Sequence, residues 1–342
     1  MEKKYWSAIA LAAVCLLGSC GKKNTSASTQ TEQTAPANAE CPTFNADSAY
    51  QFTADQCDFG PRTPNSEAHK ACGNYIAEKF TAYGATITDQ YADLKGYDGT
   101  VLKSRNIIAS INPDAEKRVL ICAHWDSRPW CDNDPDSANW KKPVLAANDG
   151  ASGVAVMLEM ARMLQQQPLD RIGVDFICFD AEDWGVPQWA ETGEDHSQSW
   201  CLGSQHWSQN PHKAGYRAIY GILLDMVGGQ GATFSQEAYS QEYAPGVVNN
   251  VWNTAESLGY DNYFLKRPSG GYIVDDHVPV NQIAGIPCID IVPYFTDGPS
   301  SFGPTWHTAK DDMEHIDKNV LKAVGQTVLQ VLYNENRNNE NH

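Results

Sequence analysis

The 342-residue chain is short of positive charge: 25 Lys and Arg stand against 42 Asp and Glu, a formal net charge of −17. No basic stripe relieves that balance, which excludes nucleic acid as a partner, because phosphate binding needs clustered cations. There is no Gly-rich phosphate loop, no dinucleotide fingerprint and no His-Glu-x-x-His helix. Gly150-Ala151-Ser152-Gly153 lacks the residue between serine and second glycine that a nucleophile elbow requires, so serine-hydrolase chemistry is disfavoured. No cysteine spacing looks like a thiolate zinc site, and internal repeats are absent. What is present is an acidic chain with 10 Trp and 15 Tyr, long enough for a sizeable core. That fits a soluble enzyme acting on neutral or cationic small molecules or peptides.

Residues 1–19 read as an export signal. Lys3 and Lys4 form a short positive start, residues 8–17 an apolar run too short to span a membrane as a mature helix, and Gly18 and Ser19 the small residues before a cut. The ending Leu17-Gly18-Ser19-Cys20 resembles a bacterial lipoprotein box, which implies cleavage before Cys20 and a lipid on that cysteine. The expectation is an exported, membrane-anchored protein, periplasmic or on the cell surface, touching the membrane only through that lipid. An ordinary signal peptide cut nearby is the alternative. Residues 20–40, free of aromatics, read as a disordered tether, and 41–342 as a single domain. Without Cys15 and Cys20, eight cysteines remain. Cys122, Cys178 and Cys288 lie in apolar strand-like runs and read as buried free thiols. Cys41, Cys57, Cys72, Cys131 and Cys201 are the candidates for disulfides, which an exported chain permits, and the cysteines as a group read as structural.

A first helix is expected within 41–57, a break at Gly60 to Pro64, and a second helix from Asn65 or Ser66 to about Tyr83. Ala71, Tyr75, Ile76 and Phe80 recur on it at core-facing spacing. Strands are expected at 85–91 and 104–111. Continuous apolar runs at 119–123, 174–179, 218–224 and 287–292 read as further strands, the first two as fully buried. Helices are expected at 151–167, from 201, at 247–258 and at 319–333, and a polar surface insertion at 185–200. The alternation predicts an α/β fold with a mixed, largely parallel central sheet flanked by helices.

Each buried run leads at once into residues able to bind a cation or move a proton. After 119–123 come His124 and Asp126; after 174–179, Asp180, Glu182 and Asp183; after 218–224, Asp225; and beyond 287–292, Trp306 and His307. In a parallel sheet the carboxyl ends of the strands line one crevice, so these side chains are expected to meet. Asp149, in the turn Asn148-Asp149-Gly150 before a helix, joins them. Singly, each has a plainer explanation: a capping aspartate, a core histidine, a solvated loop edge. Jointly, the plain account requires a coincidence at four strand ends. Carboxylates with one or two imidazoles suit zinc.

The motifs Ala123-His124-Trp125-Asp126-Ser127, Asn148-Asp149-Gly150, Phe179-Asp180-Ala181-Glu182-Asp183, Leu202-Gly203-Ser204, Asp275-Asp276-His277-Val278-Pro279, Gly285-Ile286-Pro287 and Trp306-His307-Thr308 together resemble the zinc aminopeptidase superfamily, and within it the glutaminyl cyclases. The resemblance spans residues 41–335. It implies one zinc per chain held by Asp149, Asp183 and His307, with Glu182 as general acid and base. Asp225 and Asp275 would form a hydrogen-bond network beside it, and Trp306 would wall the substrate pocket. His124 is assigned to that pocket region, placed with Asp126 where aminopeptidases keep a second metal. The implied substrate is a peptide with N-terminal glutamine, converted to pyroglutamate with release of ammonia. One departure stands out. The family's acidic pair is usually Glu-Glu, and the shorter Asp183 would draw a metal toward the backbone by ~1.5 Å, or leave Glu182 as the ligand with the base elsewhere. The resemblance also leaves open a two-zinc aminopeptidase, with Asp149 bridging sets completed by His124, Asp183, Asp225 and His307, and a binding module that has kept the fold. One of Trp184, Trp189 and Trp200 is a candidate for the pocket wall.

Overall fold

Two seven-residue runs, Arg118–His124 (β3) and Gly173–Phe179 (β4), are buried at every position, as strands covered on both faces must be. They pair in parallel. On one side β4 meets Val101–Ile111 (β2) antiparallel, and β2 forms an antiparallel hairpin with Thr86–Lys95 (β1). On the other side β3 pairs in parallel with Gly221–Leu224 (β5), and β5 with Cys288–Ile291 (β8). The order is β1-β2-β4-β3-β5-β8, the mixed, largely parallel sheet expected. The computed structural model describes residues 37–193 and 195–338. The expected signal sequence, Cys20 and the tether up to residue 36 lie outside them.

Alternation along the strands sends Val119, Ile121, Ala123, Val174 and Phe176 into one apolar layer and Leu120, Cys122, Ile177 and Phe179 into another. The first layer is closed by helices Ala46–Cys57 (α1), Glu67–Ala82 (α2), Ala151–Gln166 (α3), Pro245–Ser257 (α6) and Lys318–Asn338 (α8). The second is covered by Leu202–Gln209 (α4) and His277–Gln282 (α7). The caps follow from sequence: Asn45 accepts from the Asp47 and Ser48 amides, and Ser66 from that of His69. The central helix α3 is buried almost all round, as its position against the sheet requires.

Several expectations need correction. The hairpin strands run on to Lys95 and begin at Val101, because β1 is largely solvated and carries little apolar signal. Ala71 faces solvent; Cys72, Ile76 and Phe80 set the buried stripe of α2, with Gly73 packed so closely that a Cβ would come within 2.9 Å of Trp125. A two-stranded parallel sheet of Phe234–Gln236 (β6) and Phe264–Pro268 (β7), and the short helix Ala238–Tyr243 (α5), carry no periodicity long enough to read. Cys41, Cys57, Cys72, Cys131 and Cys201 form no disulfides; all eight described cysteines are free. Asn38 and Ala39, near the end of the expected tether, dock on the body: Asn38 bonds Ser257 and Asn334, the Ala39 amide donates to Asn334 at 2.8 Å, and the Ala39 carbonyl accepts from Gln330 at 2.8 Å.

At the amino end of the sheet, Arg118 clamps the fully buried Asp175 through Nε–Oδ2 at 2.6 Å and Nη2–Oδ1 at 2.7 Å. Against the desolvation of burial, Arg118 and the Ser110 and Tyr216 hydroxyls hold the Asp175 carboxyl below the usual range. Asp175→Ala is expected to cost about 3 kcal/mol, the low end for a broken buried pair, because Arg118 keeps backbone carbonyl partners. Denaturant midpoints measure it. The pair's contribution is complete above the unfolded carboxyl's pKa of about 4 and is lost as pH falls through the lower folded value, so parent and variant should converge in acid.

Candidate metal centre and active site

The parallel register of β4, β3, β5 and β8 brings their carboxyl ends to one edge. Sharp turns then aim the side chains. Among the described residues, seven non-glycine positions have positive φ, and five border this edge: Ala146, Ala181, Cys201, Met226 and His307. Backbone strain is thus concentrated where the chemistry is. Gly150, at φ 103°, leaves no room for a Cβ, which would lie 2.7 Å from the Asp126 carbonyl.

Asp149 is the shared element of two buried clusters. Its Oδ2 lies 3.5 Å from His307 Nε2, which is 3.2 Å from Asp183 Oδ1. Its Oδ1 lies 3.0 Å from His124 Nε2, which is 3.2 Å from Asp225 Oδ1. Each trio places its ligand atoms within 4.8 Å of one another. Asp183, not Glu182, joins Asp149 and His307; Glu182 groups with Cys201 and Asp275. Asp149 Oδ2, Asp183 Oδ2 and Asp225 Oδ1 are buried without hydrogen-bond partners. Orphaned carboxylate oxygens beside imidazole nitrogens fit a divalent cation, and two carboxylates with one imidazole form a zinc donor set with an open fourth position.

Further residues orient these ligands. Both Asp311 oxygens accept backbone amides, Asn148 at 2.7 Å and Asp149 at 3.0 Å. Arg62 caps the Leu145 and Ala146 carbonyls just upstream. Asp126 accepts the Glu182 and Asp183 amides at 3.1 and 3.2 Å. Arg128 is clamped on Asp132 at 2.7 Å and donates to the Asp183 carbonyl at 3.0 Å, while Asp132 Oδ1 stands 3.5 Å from His307 Nδ1. One ion pair therefore steers two of the three ligands. Sequence reasoning missed Arg62, Arg128, Asp132 and Asp311, because a lone charge in a loop carries no periodic signal. Two placements differ from expectation. His124 holds the second-cluster position but is 2% exposed and absent from the pocket lining, and Asp126 lies behind it as an amide acceptor. The Cys201 thiol donates to Glu182 Oε1 at 3.4 Å.

The electrostatics divide the acids by role. Burial, then the neighbouring Asp183, pushes the Glu182 carboxyl well above its usual range. Burial and acidic neighbours likewise raise Asp225 to about 6 and Asp275 to about 7. Asp149 moves the other way: against its desolvation, His124 holds it low. Burial disfavours charge on His307, yet Asp183 and Asp132 raise it to about 9.

Above the acids opens a cavity of about 580 Å³. Its walls include Trp200, Tyr272, Tyr294, Phe302 and Trp306. Trp306 stacks on His307 with centroids 3.8 Å apart, and Trp200 lies parallel to the same ring at 6.2 Å, with Arg128 over its face. Trp200 is thus the wall residue from the 185–200 insertion region. Trp184 and Trp189 pack instead around Trp130, away from the pocket lining.

Residues 106–332 match peptidase family M28. An aminopeptidase of Bacillus subtilis is 31% identical over 284 residues, covering 80% of this chain and 54% of its own. A glutaminyl-peptide cyclotransferase of Gloydius blomhoffii is 27% identical over 259 residues, covering 66% and 64%. The chain therefore spans less than two thirds of these curated relatives. The solved structure of Bacteroides thetaiotaomicron glutaminyl cyclase bound to N-acetylhistamine is 54% identical with a TM-score of 0.83, covering 86% of this chain and 99% of that one. With well over half of its length matched, this chain belongs to peptidase family M28.

Proposed function

We propose that this chain is a zinc-dependent glutaminyl-peptide cyclotransferase, acting on peptides with N-terminal glutamine. The observation that carries the reading is the grouping of Glu182 with Asp275 beside the Asp149–Asp183–His307 trio, at the floor of a pocket walled by Trp306 and Trp200. Glu182 takes a proton from the α-ammonium of the substrate, freeing the amine. The amine nitrogen attacks the γ-carboxamide carbon of the same residue, closing a five-membered ring. Glu182 returns the proton to the amide nitrogen as its bond to the carboxamide carbon breaks, ammonia leaves, and the ring nitrogen gives up its second proton to solvent to leave the neutral lactam. Asp275, raised to about 7, stands in the same acidic group as Glu182, and Asp225, raised to about 6, lines the same pocket, so both are placed to exchange protons with Glu182. Zinc held by Asp149, Asp183 and His307 would act as a Lewis acid toward the γ-carbonyl oxygen. Because attack is intramolecular, most of the catalytic demand is positioning within the aromatic walls.

A second reading, a two-metal exopeptidase, is favoured by one observation: the His124–Asp149–Asp225 cluster is also complete. For localisation we infer a lipoprotein anchored through Cys20, supported by the sequence of residues 1–20.

Ammonia release from a glutaminyl peptide, measured with zinc content, separates the enzymatic readings. One zinc per chain with ammonia release is expected; two zincs with cleavage of a leucyl amide would establish the exopeptidase. Glu182→Gln should reduce kcat by about 10²–10⁴-fold, the range for a lost general acid–base, with zinc retained. Asp183→Ala should instead lose the metal, read as zinc content after dialysis.

A further inference from the structure

Asp275 stands on a pocket wall that has no regular structure. Residues 269–276 form neither helix nor strand between β7 and α7, yet Ser269, Gly271, Ile273, Val274 and Asp275 all line the cavity. Tyr272 and Val274 are 64% and 46% exposed, so burial of the wall's own side chains does not explain its shape. Something beneath must hold it.

That support is Glu237, fully buried at the start of α5. Its Oε1 accepts the Tyr239 amide at 2.8 Å and, across the gap, the Ile273 amide at 3.1 Å. Its Oε2 accepts the Ser240 amide at 2.7 Å, the Ser240 hydroxyl at 2.9 Å and His277 Nε2 at 3.2 Å. We infer that Glu237 is a positioning residue for cyclisation, a buried carboxylate that sets Asp275 by gripping the chain two residues before it and two residues after it. Two backbone bonds add to the grip, Ala238 amide to Gly271 carbonyl at 3.3 Å and Ser269 amide to Gln236 carbonyl at 3.0 Å.

The contact pattern exceeds what a helix cap needs. Capping α5 takes only the Tyr239 and Ser240 amides, and a shorter aspartate would do that as well or better. The extra methylene of glutamate lets one carboxylate reach both Ile273 and His277 while still capping. Five donors converging on two oxygens also keep the charge: against its desolvation, His277 and the Ser240 and Tyr239 amides bring Glu237 down to about 2. A fixed, ionised anchor cannot slacken near neutral pH. None of these partners belongs to the Asp149–Asp183–His307 trio, so metal retention is expected to be unaffected by changes at Glu237.

This inference rests on the cyclase reading for its kinetic effect, and its test separates the two. Glu237→Asp keeps charge and cap but shortens the reach; Glu237→Gln keeps the reach but puts an amide nitrogen among the Oε2 donors. On the zinc-loaded full-length chain, both should lower kcat about tenfold or more, as small misplacements of catalytic groups do. KM should change less than kcat and zinc content should stay at the parental level, because the displaced group acts on the reacting atoms while the metal ligands are unchanged. Amide hydrogen exchange across 271–276 should quicken in both variants while the sheet stays protected. Parental kcat in Glu237→Asp would reduce the residue to a cap and overturn the inference, as would zinc lost together with activity. If Glu237→Gln does not fold, His277→Gln removes one arm alone and should lower kcat in the same direction. If the parent releases no ammonia but exchange still quickens in Glu237→Asp, the cyclase reading fails and the grip stands. Parental exchange in every variant overturns the grip whatever the activity.

Discussion

A buried carboxyl group must find a cation, a proton or a set of N–H donors, and this protein gathers an unusual number of carboxyls at one sheet edge. Each solution is used in turn. Asp132 takes the guanidinium of Arg128. Asp126, Asp311 and Glu237 take backbone amides. Glu182, Asp225 and Asp275 hold protons more tightly than free carboxyls do. Asp149 and Asp183 each retain an oxygen that none of these satisfies, and there the metal chemistry resides. The separation of roles therefore follows from how one excess of negative charge is distributed.

The parts of this arrangement legible in the amino-acid sequence are those tied to strands. Continuous apolar runs at 119–123 and 174–179 mark strands covered on both faces, and the polar residues that end them have to emerge at one edge. Hence Asp183, His307, Glu182 and Asp225 could be brought together from one chain without coordinates, while Asp149, in a turn before a helix rather than at a strand end, took its place through the family resemblance. The supporting layer was illegible because it depends on loops returning to the edge. Asp311 reaches the Asn148 and Asp149 amides from more than 160 residues away, and nothing local distinguishes it from Asp312, which caps a short turn on the surface. The cysteines misled for a related reason: export permits disulfides, but a core this well buried leaves the thiols to pack as small apolar groups.

The Glu-to-Asp departure at position 183 also finds its physical setting. The shorter side chain stands against Arg128, whose guanidinium reaches the Asp183 carbonyl and lies 3.4 Å from its Oδ1. The same cation lies over Trp200. Ligand, ion pair and pocket wall form one packed unit, in which side-chain length at 183 and the position of the arginine are set together.

The stacking of Trp306 on His307 has a thermodynamic consequence. Wall and ligand are consecutive residues with rings 3.8 Å apart, so a molecule that packs against the tryptophan also restrains the imidazole. Occupancy of the pocket and occupancy of the metal position are then linked functions, and linkage is reciprocal. Whatever factor a bound metal adds to the affinity of a pocket ligand, that ligand adds to the affinity for the metal. A tight pocket ligand would act as a guard against chelation, though it need not donate to the metal itself.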